Sequence, residues 1–167
     1  ILDPRNKDLG ARLIINLEKL YLSLKKLDLK DDKVENYYTK SHNLGIVPKN
    51  LNKLQNKLFG IECNYEELNG IDFRKGCYVG QENTARIKLK NKLSKRLLPI
   101  NIIEGTVCED EKIYSNKVEI GKILIDDDYP FALIKFLDKN FEKDQTLKGQ
   151  KGLFQILIPQ WLQIKIN

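Results

Sequence analysis

In the second half of the chain, apolar residues recur in short runs that polar breaks separate. Runs of this length at regular spacing are typical of strands, and several such strands suggest a small antiparallel barrel. Strands are predicted over residues 97–103, 112–114, 117–125, 131–137 and 153–158. We expect a tight turn at Ser115-Asn116, breaks at residues 126–130 and 148–149, and a core capped by Phe154 and Trp161.

The first half of the chain favours helices. A first helix is indicated by apolar residues three or four apart, although Leu20, Leu22 and Leu24 also alternate as in a strand. These residues are Leu17, Leu20, Tyr21, Leu24 and Leu27. A second helix is expected to begin with a capping box of Asp32 and Glu35 and to end before Gly45 and Pro48. A short strand is predicted over residues 11–15.

Core-building periodicity stops in residues 74–86. Gly76 and Gly80 allow positive φ or a close backbone approach at two points. Cys77 follows Arg74 and Lys75, and nearby cations favour the reactive thiolate. A surface turn with a buried, inert cysteine explains the same spacing, so both interpretations stay open.

A change of period follows this stretch. Residues 81–86 are compatible with a short helix, whereas from Arg86 onward the pattern alternates, which predicts a half-buried strand with a basic outer face. Its inner face would be Ile87, Leu89 and Leu93, and its outer face Arg86, Lys88, Lys90 and Lys92.

The net charge of +6 is concentrated in residues 74–96, which contain eight Lys or Arg and one acid, Glu82. Such a cluster favours anionic partners such as polyanionic cofactor tails, phosphates or RNA, or else it is a solvated face. No aromatic residues are interleaved with the cations of residues 86–96, and base stacking usually needs them. Direct binding of nucleic acid is therefore not expected.

The composition is that of a folded globular protein of one or two domains, with 167 residues, 41% hydrophobic and 31% charged. No apolar run has the roughly 18 residues of a membrane span. Three widely spaced cysteines argue for a reducing compartment rather than a disulfide scaffold. His42, the only histidine, is interpreted as a solvated or capping residue, and no metal site is expected.

The segment Lys75-Gly76-Cys77-Tyr78-Val79-Gly80-Gln81-Glu82 resembles the signature of the YgfZ family of folate-binding proteins. These are also called CAF17-like proteins and are relatives of the glycine cleavage T-protein. Further matches are residues 68–73, Asp3-Pro4-Arg5 and Gly45-Ile46-Val47-Pro48. The family usually carries an Arg one turn before the last of these blocks, where this chain has Ser41, His42 and Asn43.

The resemblance implies an α+β fold. Residues 1–93 would be the C-terminal part of a GcvT/YgfZ-like folate-binding domain, and residues 94–167 a small antiparallel β-barrel. It also implies that the chain is the C-terminal part of a longer protein.

The resemblance further implies support of iron–sulfur cluster assembly or repair, and thereby of tRNA-modifying and other iron–sulfur enzymes. Cys77 would be the key residue and tetrahydrofolate the cofactor. The cofactor would meet residues of the signature, namely Lys75, Gly76, Tyr78, Gly80, Gln81, Glu82 and Arg86. Partners would be the assembly machinery or client proteins, in a bacterial cytoplasm or a mitochondrial matrix. A tetrahydrofolate-dependent aminomethyltransferase is the alternative, so whether the chain is an enzyme stays open.

Overall fold

A computed structural model describes residues 1–76, 81–89, 93–136 and 138–162. Its helices are α1 (Leu20–Lys26), α2 (Val34–Asn43) and α3 (Gln81–Leu89), with 3-10 turns at Lys7–Leu9, Leu17–Lys19 and Leu51–Leu54. Its strands are β1 (Arg96–Thr106), β2 (Lys112–Ser115), β3 (Val118–Ile125), β4 (Phe131–Ile134), β5 (Thr146–Lys148) and β6 (Lys151–Ile156). Within these residues, no helix has the length and apolar character needed to cross a membrane.

The six strands form one antiparallel sheet in the order β2-β3-β4-β1-β6-β5. Its edge strands β2 and β5 lie beside each other, and the Ser115 hydroxyl donates to Gln145 Oε1 across the seam at 3.1 Å. The sheet is therefore a nearly closed barrel, which confirms the predicted α+β class with an antiparallel barrel. The boundary at residues 93 and 94 stays a prediction.

Strand β1 is a central strand of this barrel, because it pairs with β4 on one side and with β6 on the other. Residues Arg96 to Pro99 pair with β4, and residues Ile100 to Thr106 pair with β6. Gly105 has a φ of 74°, and a Cβ there would collide with the Lys151 carbonyl. Only glycine fits this close approach of β1 to β6 without strain.

All five strands predicted for the barrel are present with shifted ends. The turn after Ser115 is also confirmed, since Asn116 and Lys117 have φ values of 49° and 66°, as in a two-residue hairpin. Strand β5 was missed because it has three residues, of which only Leu147 is buried, so no alternation reveals it.

The main core fills the barrel, and Phe154 lies in it with Trp161 packed against it, as predicted. A second cluster joins Leu54 to Leu97, Leu124, Ile125 and Phe131. Leu54 belongs to a stretch without a strong pattern, so burial of this position is visible only in the structure.

Ion pairs fix the same stretch to the barrel. Lys53 contacts Asp126 at 2.6 Å, and Lys57 contacts Glu109 at 2.6 Å. Lys49 lies 3.2 Å from Asp128. These ion pairs attach residues 49–57 to the loop after β3 and to the loop before β2.

Two predictions for the N-terminal part are wrong. Residues 11–15 form no strand, because the described residues offer Ala11 only an isolated bridge to Leu2, and Ile14 remains 85% exposed. The capping box is also absent: Lys33 is the N-cap of α2, and the Asp32 carboxylate instead accepts from Lys33 N and Asn36 Nδ2. The predicted helices α1 and α2 are confirmed.

The strand predicted from Arg86 onward is also wrong, because helix α3 continues to Leu89. Alternation over so few residues did not distinguish the two structures. Lys88 lies on the last turn of α3 and contacts residues upstream in the chain, so tertiary contacts decide the outcome. Lys90 and Lys92 of the predicted outer face lie outside the described residues.

Glu111 joins the two edges of the sheet at the seam of the barrel. It is only 4% exposed, and its carboxylate accepts from the backbone N–H groups of Cys108 and Gln150. These donors belong to the loop before β2 and to the β5–β6 hairpin, so one carboxylate joins the two edges.

We expect Glu111→Ala to lower the free energy of unfolding by about 3 kcal/mol, because two backbone donors lose their acceptor. Glu111→Gln, which retains one acceptor oxygen, should cost about 1 kcal/mol. Urea unfolding measures both values, with the exposed Glu142→Ala as the matched control. Equal stability of Glu111→Ala and Glu142→Ala would contradict the assigned role.

Candidate functional site

The signature segment lies between two described flanks. Residues 71–76 lead into it, and the Asp72 carboxylate accepts from Arg74 N at 2.8 Å. Helix α3 begins at Gln81 and leads out of it. Four signature residues lie outside the described residues: Cys77, Tyr78, Val79 and Gly80. The first of them is the cysteine that was predicted to be the key residue.

The described signature residues are open to solvent. Lys75, Gly76, Glu82 and Arg86 are all exposed, and the last two lie on α3. Gly76 has no positive φ, and a Cβ there would meet no described atom within 4 Å. Neither of the expected reasons for glycine therefore applies at Gly76 within the described part of the chain.

Lys88 connects the two flanks. Its Nζ lies 4.1 Å from the centroid of the Phe73 ring, and it forms an ion pair with Glu66. Phe73 and Glu66 precede the signature and Lys88 follows it, so these contacts join the chain before the segment to the chain after it.

The neighbouring Glu67 binds Arg96, the first residue of β1. The two guanidinium nitrogens lie 2.6 and 2.9 Å from the two carboxylate oxygens, which is a bidentate ion pair. Arg96 also donates to Asn64 Oδ1 at 3.1 Å. The turn that carries Glu66 and Glu67 is thereby fixed to the start of the barrel.

These pairs reduce the local positive field that the sequence predicted. Lys88 and Arg96 each face a glutamate, and Arg74 lies 3.7 Å from Asp72. Three cations of the basic segment therefore have acidic partners that lie upstream in the chain. The basic segment is closer to neutral in the fold than in the sequence.

An apolar cavity of about 280 Å³ lies beside the turn that carries Glu66 and Glu67. Its walls come from the loop after α2, the 3-10 turn Leu51–Leu54, the turn before the signature and β1. Its lining includes Val47, Leu51, Leu54, Cys63, Leu68, Gly70 and Leu97, with Arg5 among the lining residues. A flat apolar group of modest size fits such a space. The sequence did not predict the cavity, because its walls come from segments without periodicity.

Cys63 in this cavity is not a nucleophile. Burial raises the pKa of its thiol to about 12, and the nearby Glu62 carboxylate adds to the effect. The thiol is therefore neutral at physiological pH, and the thiolate is the form that reacts. Cys63 packs against the second core cluster, which fits an ordinary structural role.

The block Asp3-Pro4-Arg5 reaches the cavity through Arg5, which is one of its lining residues. Arg5 and Arg12 both bind the buried Asp3 carboxylate, and the hydrogen bond from Arg5 holds the pKa of that carboxyl well below its usual range. Arg5 also donates to the Tyr37 hydroxyl at 2.7 Å. Two guanidinium groups share one carboxylate, so the cluster of Asp3, Arg5 and Arg12 keeps a net positive charge.

His42 is buried rather than solvated, so the sequence interpretation of this residue is wrong. Its Nε2 donates to the Pro130 carbonyl at 3.0 Å, and its ring packs edge-on against Phe131 at 5.2 Å. Burial lowers the pKa of the imidazole. His42 therefore joins α2 to the barrel, and the cavity lining does not include it.

Within the described ranges, no group of three or more His, Cys, Asp or Glu side chains could hold a metal ion. Cys108 is half-buried in the loop before β2, where its backbone N–H donates to Glu111.

Comparison with known proteins finds relatives that carry the same protein name. No family model matches the chain. The chain is 34% identical over 121 residues to a protein of Dictyostelium discoideum named iron-sulfur cluster assembly factor IBA57 homolog, mitochondrial. That match covers 68% of this chain and 29% of the relative.

Two fungal proteins carry the same name. The one from Neurospora crassa is 37% identical over 108 residues, covering 64% of this chain and 24% of the relative. The one from Pyricularia oryzae is 32% identical over 114 residues, covering 68% and 29%. The chain thus spans less than a third of the length of these relatives.

The buried His42 predicts a pH-dependent stability. A neutral imidazole is favoured in the folded state, so the unfolded state binds more protons below its ordinary pKa of 6.5. The free energy of unfolding should be constant above pH 6.5 and fall below it, by at most about 1.4 kcal/mol per pH unit.

Urea unfolding between pH 5 and 8 measures this slope, and no other histidine contributes to it. The control is His42→Gln, whose amide can still donate to the Pro130 carbonyl and does not titrate. An identical slope for wild type and His42→Gln would contradict the assignment.

Proposed function

Because this chain belongs to the YgfZ family of folate-binding proteins, also called CAF17-like, we propose that it supports the assembly or repair of iron–sulfur clusters. The match of 34% identity over 121 residues to a named iron–sulfur cluster assembly factor carries the proposal. The signature at residues 75–82 also supports it. The names of the relatives favour this function over the aminomethyltransferase alternative.

The proposed reactive group is the thiolate of Cys77. Cys77 precedes the first residue of α3 by four positions in the sequence, and the N-terminus of a helix favours a thiolate. Lys75 and Arg86 would add positive charge near it. Cys63 makes a poor alternative because its thiol stays neutral.

The proposed substrate is an iron–sulfur cluster or its iron, which Cys77 would bind transiently. Clusters of this kind usually take four thiolate ligands, whereas the whole chain has three cysteines. The assembly machinery or the client protein would therefore supply most of the ligands. This division suits an accessory protein that acts on clusters held by others.

The proposed cofactor is tetrahydrofolate, which carries a flat ring system at one end and carboxylates at the other. The apolar cavity suits the ring, and the Arg5 guanidinium in its lining suits a carboxylate. Gly70 lines the cavity and precedes Gly76 on the same segment, so the ligand could reach the signature. Lys75, Gly76, Tyr78, Gly80, Gln81, Glu82 and Arg86 are the proposed signature contacts.

We place this function in the mitochondrial matrix if the host is eukaryotic, since the relatives are named as mitochondrial proteins. In a bacterial host the same function would belong to the cytoplasm.

We expect Cys77→Ala to abolish the activity of an iron–sulfur enzyme in a complementation assay, because the proposed thiolate is lost. Cys108→Ala is the matched control and should complement as well as wild type, since Cys108 lies in the barrel loop. Protein levels are measured in parallel. Full complementation by Cys77→Ala would exclude the proposed role of this residue.

Filling the cavity should weaken folate binding. Leu51 lines the cavity and is 53% exposed, so Leu51→Trp can fill the space without disturbing the core. We expect the Kd for tetrahydrofolate, measured by calorimetry, to rise by about ten-fold or more, which is about 1.4 kcal/mol. Tyr114→Trp on the barrel surface is the control, and an unchanged Kd for Leu51→Trp would place the ligand elsewhere.

A further inference from the structure

The apolar cavity has a buried side and an open side. The buried side is aliphatic, because Ile46, Leu54 and Leu97 line the cavity and are all buried. On the open side, Leu51 and Tyr65 also line the cavity and are 53% and 39% exposed. A ligand therefore enters past Leu51 and Tyr65 and ends against the aliphatic side.

Tyr65 is the only aromatic residue among the described residues that line this cavity. Burial raises the pKa of its hydroxyl, and the nearby Cys63 adds to the effect. Cys63 is another lining residue, so the hydroxyl end of the Tyr65 ring lies near the wall that Cys63 forms. The ring is thus partly exposed and borders the cavity.

Two glycines leave room for the side chain of Tyr65. A Cβ at Gly60 would lie 3.2 Å from Tyr65 Cδ2, and a Cβ at Gly70 would lie 3.1 Å from Tyr65 Cβ. Both distances are shorter than an ordinary van der Waals contact, so a side chain at either position would displace Tyr65. The backbone at both glycines therefore packs directly against Tyr65, which limits the positions that its ring can take.

The backbone of Tyr65 is held as well. Its carbonyl accepts from Gly70 N at 2.6 Å and from Ile71 N at 3.0 Å. The preceding residue, Asn64, is buried and donates to the Leu97 carbonyl at 2.9 Å, which joins this turn to β1. The aromatic ring is thus held in place before a ligand arrives, and a preorganised contact lowers the free-energy cost of binding.

The same turn is joined to the cation that lines the cavity. Asn69 Nδ2 donates to the Pro4 carbonyl at 2.8 Å, and Pro4 directly precedes Arg5. Arg5 is itself fixed by the buried Asp3 carboxylate at 2.9 Å. An aromatic ring and a guanidinium group are therefore both held on the wall of one cavity. Such a pair suits a ligand that carries a flat ring and an anionic group.

We propose that Tyr65 is the stacking residue of this cavity and selects a ligand with a flat ring, here the pterin ring of tetrahydrofolate. The ligand ring lies on the face of Tyr65 and directs its far edge towards the buried aliphatic side. Stacking on an aromatic side chain contributes to binding beyond the apolar area that it buries. The inference rests on the proposed function, because the ligand is the cofactor proposed there, and it adds the residue that recognises the ring.

The test compares variants of Tyr65 in the full chain. Tyr65→Leu and Tyr65→Met keep an apolar side chain and remove the aromatic face, whereas Tyr65→Phe keeps the face and removes only the hydroxyl. Two non-aromatic variants are used so that the comparison does not depend on the folding of one of them. Tyr114→Leu is the matched control, because Tyr114 is exposed on strand β2 and is not a lining residue of this cavity.

Calorimetry measures the Kd of each variant for tetrahydrofolate and for p-aminobenzoylglutamate, which lacks the pterin ring. We expect Tyr65→Leu and Tyr65→Met to raise the Kd for tetrahydrofolate by about ten-fold, because the stacking contact is lost. Their Kd for p-aminobenzoylglutamate should not change. Tyr65→Phe should bind both ligands within about two-fold of wild type, since it keeps the aromatic face.

Two results would overturn the role of Tyr65. The first is a Kd for tetrahydrofolate that is equal in Tyr65→Leu and Tyr114→Leu. The second is an equal loss of affinity for both ligands in Tyr65→Leu and Tyr65→Met, because that result indicates a general disturbance of the cavity.

The role of Tyr65 and the proposed function can fail separately. If wild type binds tetrahydrofolate and Tyr65→Leu binds it equally well, the cofactor stands and the stacking role fails. If wild type binds no tetrahydrofolate, the cofactor and the stacking role both fail. If Cys77→Ala complements fully but Tyr65→Leu binds tetrahydrofolate about ten-fold more weakly, the stacking role stands and the function proposed for Cys77 fails.

Discussion

The ion pair between Arg96 and Glu67 is the constraint on which the arrangement of this chain depends. It lies where the irregular first half meets the first strand of the barrel. The backbone reinforces it, because Leu97 N donates to the Glu62 carbonyl at 2.8 Å and Asn64 Nδ2 donates to the Leu97 carbonyl at 2.9 Å. Arg96 Nε is buried without a partner among the described residues, and the bidentate pair offsets that cost.

The other parts of the site are connected to this junction through the turn that carries Glu67. The turn that carries Glu67 also carries Glu66, which reaches α3 through Lys88, and Cys63, which lines the apolar cavity. Helix α3 follows the signature, and the cavity opens beside the segment that precedes it. One turn therefore relates the barrel, the cavity and both flanks of the signature.

The sequence predicted the barrel well because its strands are half-buried surfaces whose alternation is visible locally. It failed where tertiary contacts decide the structure. Residues 86–89 alternate but are helical, His42 is buried by the barrel rather than by its own helix, and Leu147 marks a strand too short to show a period. The cavity could not be predicted either, since its walls come from segments far apart in the chain. The signature was visible as a motif, whereas the bridge between its flanks depends on Lys88, which the sequence placed on a solvated strand face.

The central proposal is that Cys77 carries the activated thiol, whereas burial keeps the thiol of Cys63 inert. Site-resolved alkylation of all three cysteines across a range of pH in the wild-type protein tests it most directly. The account predicts that Cys77 has a midpoint clearly below 8.5, while Cys63 stays unreactive throughout because its pKa is raised to about 12. A Cys77 midpoint at or above 8.5 would contradict the account.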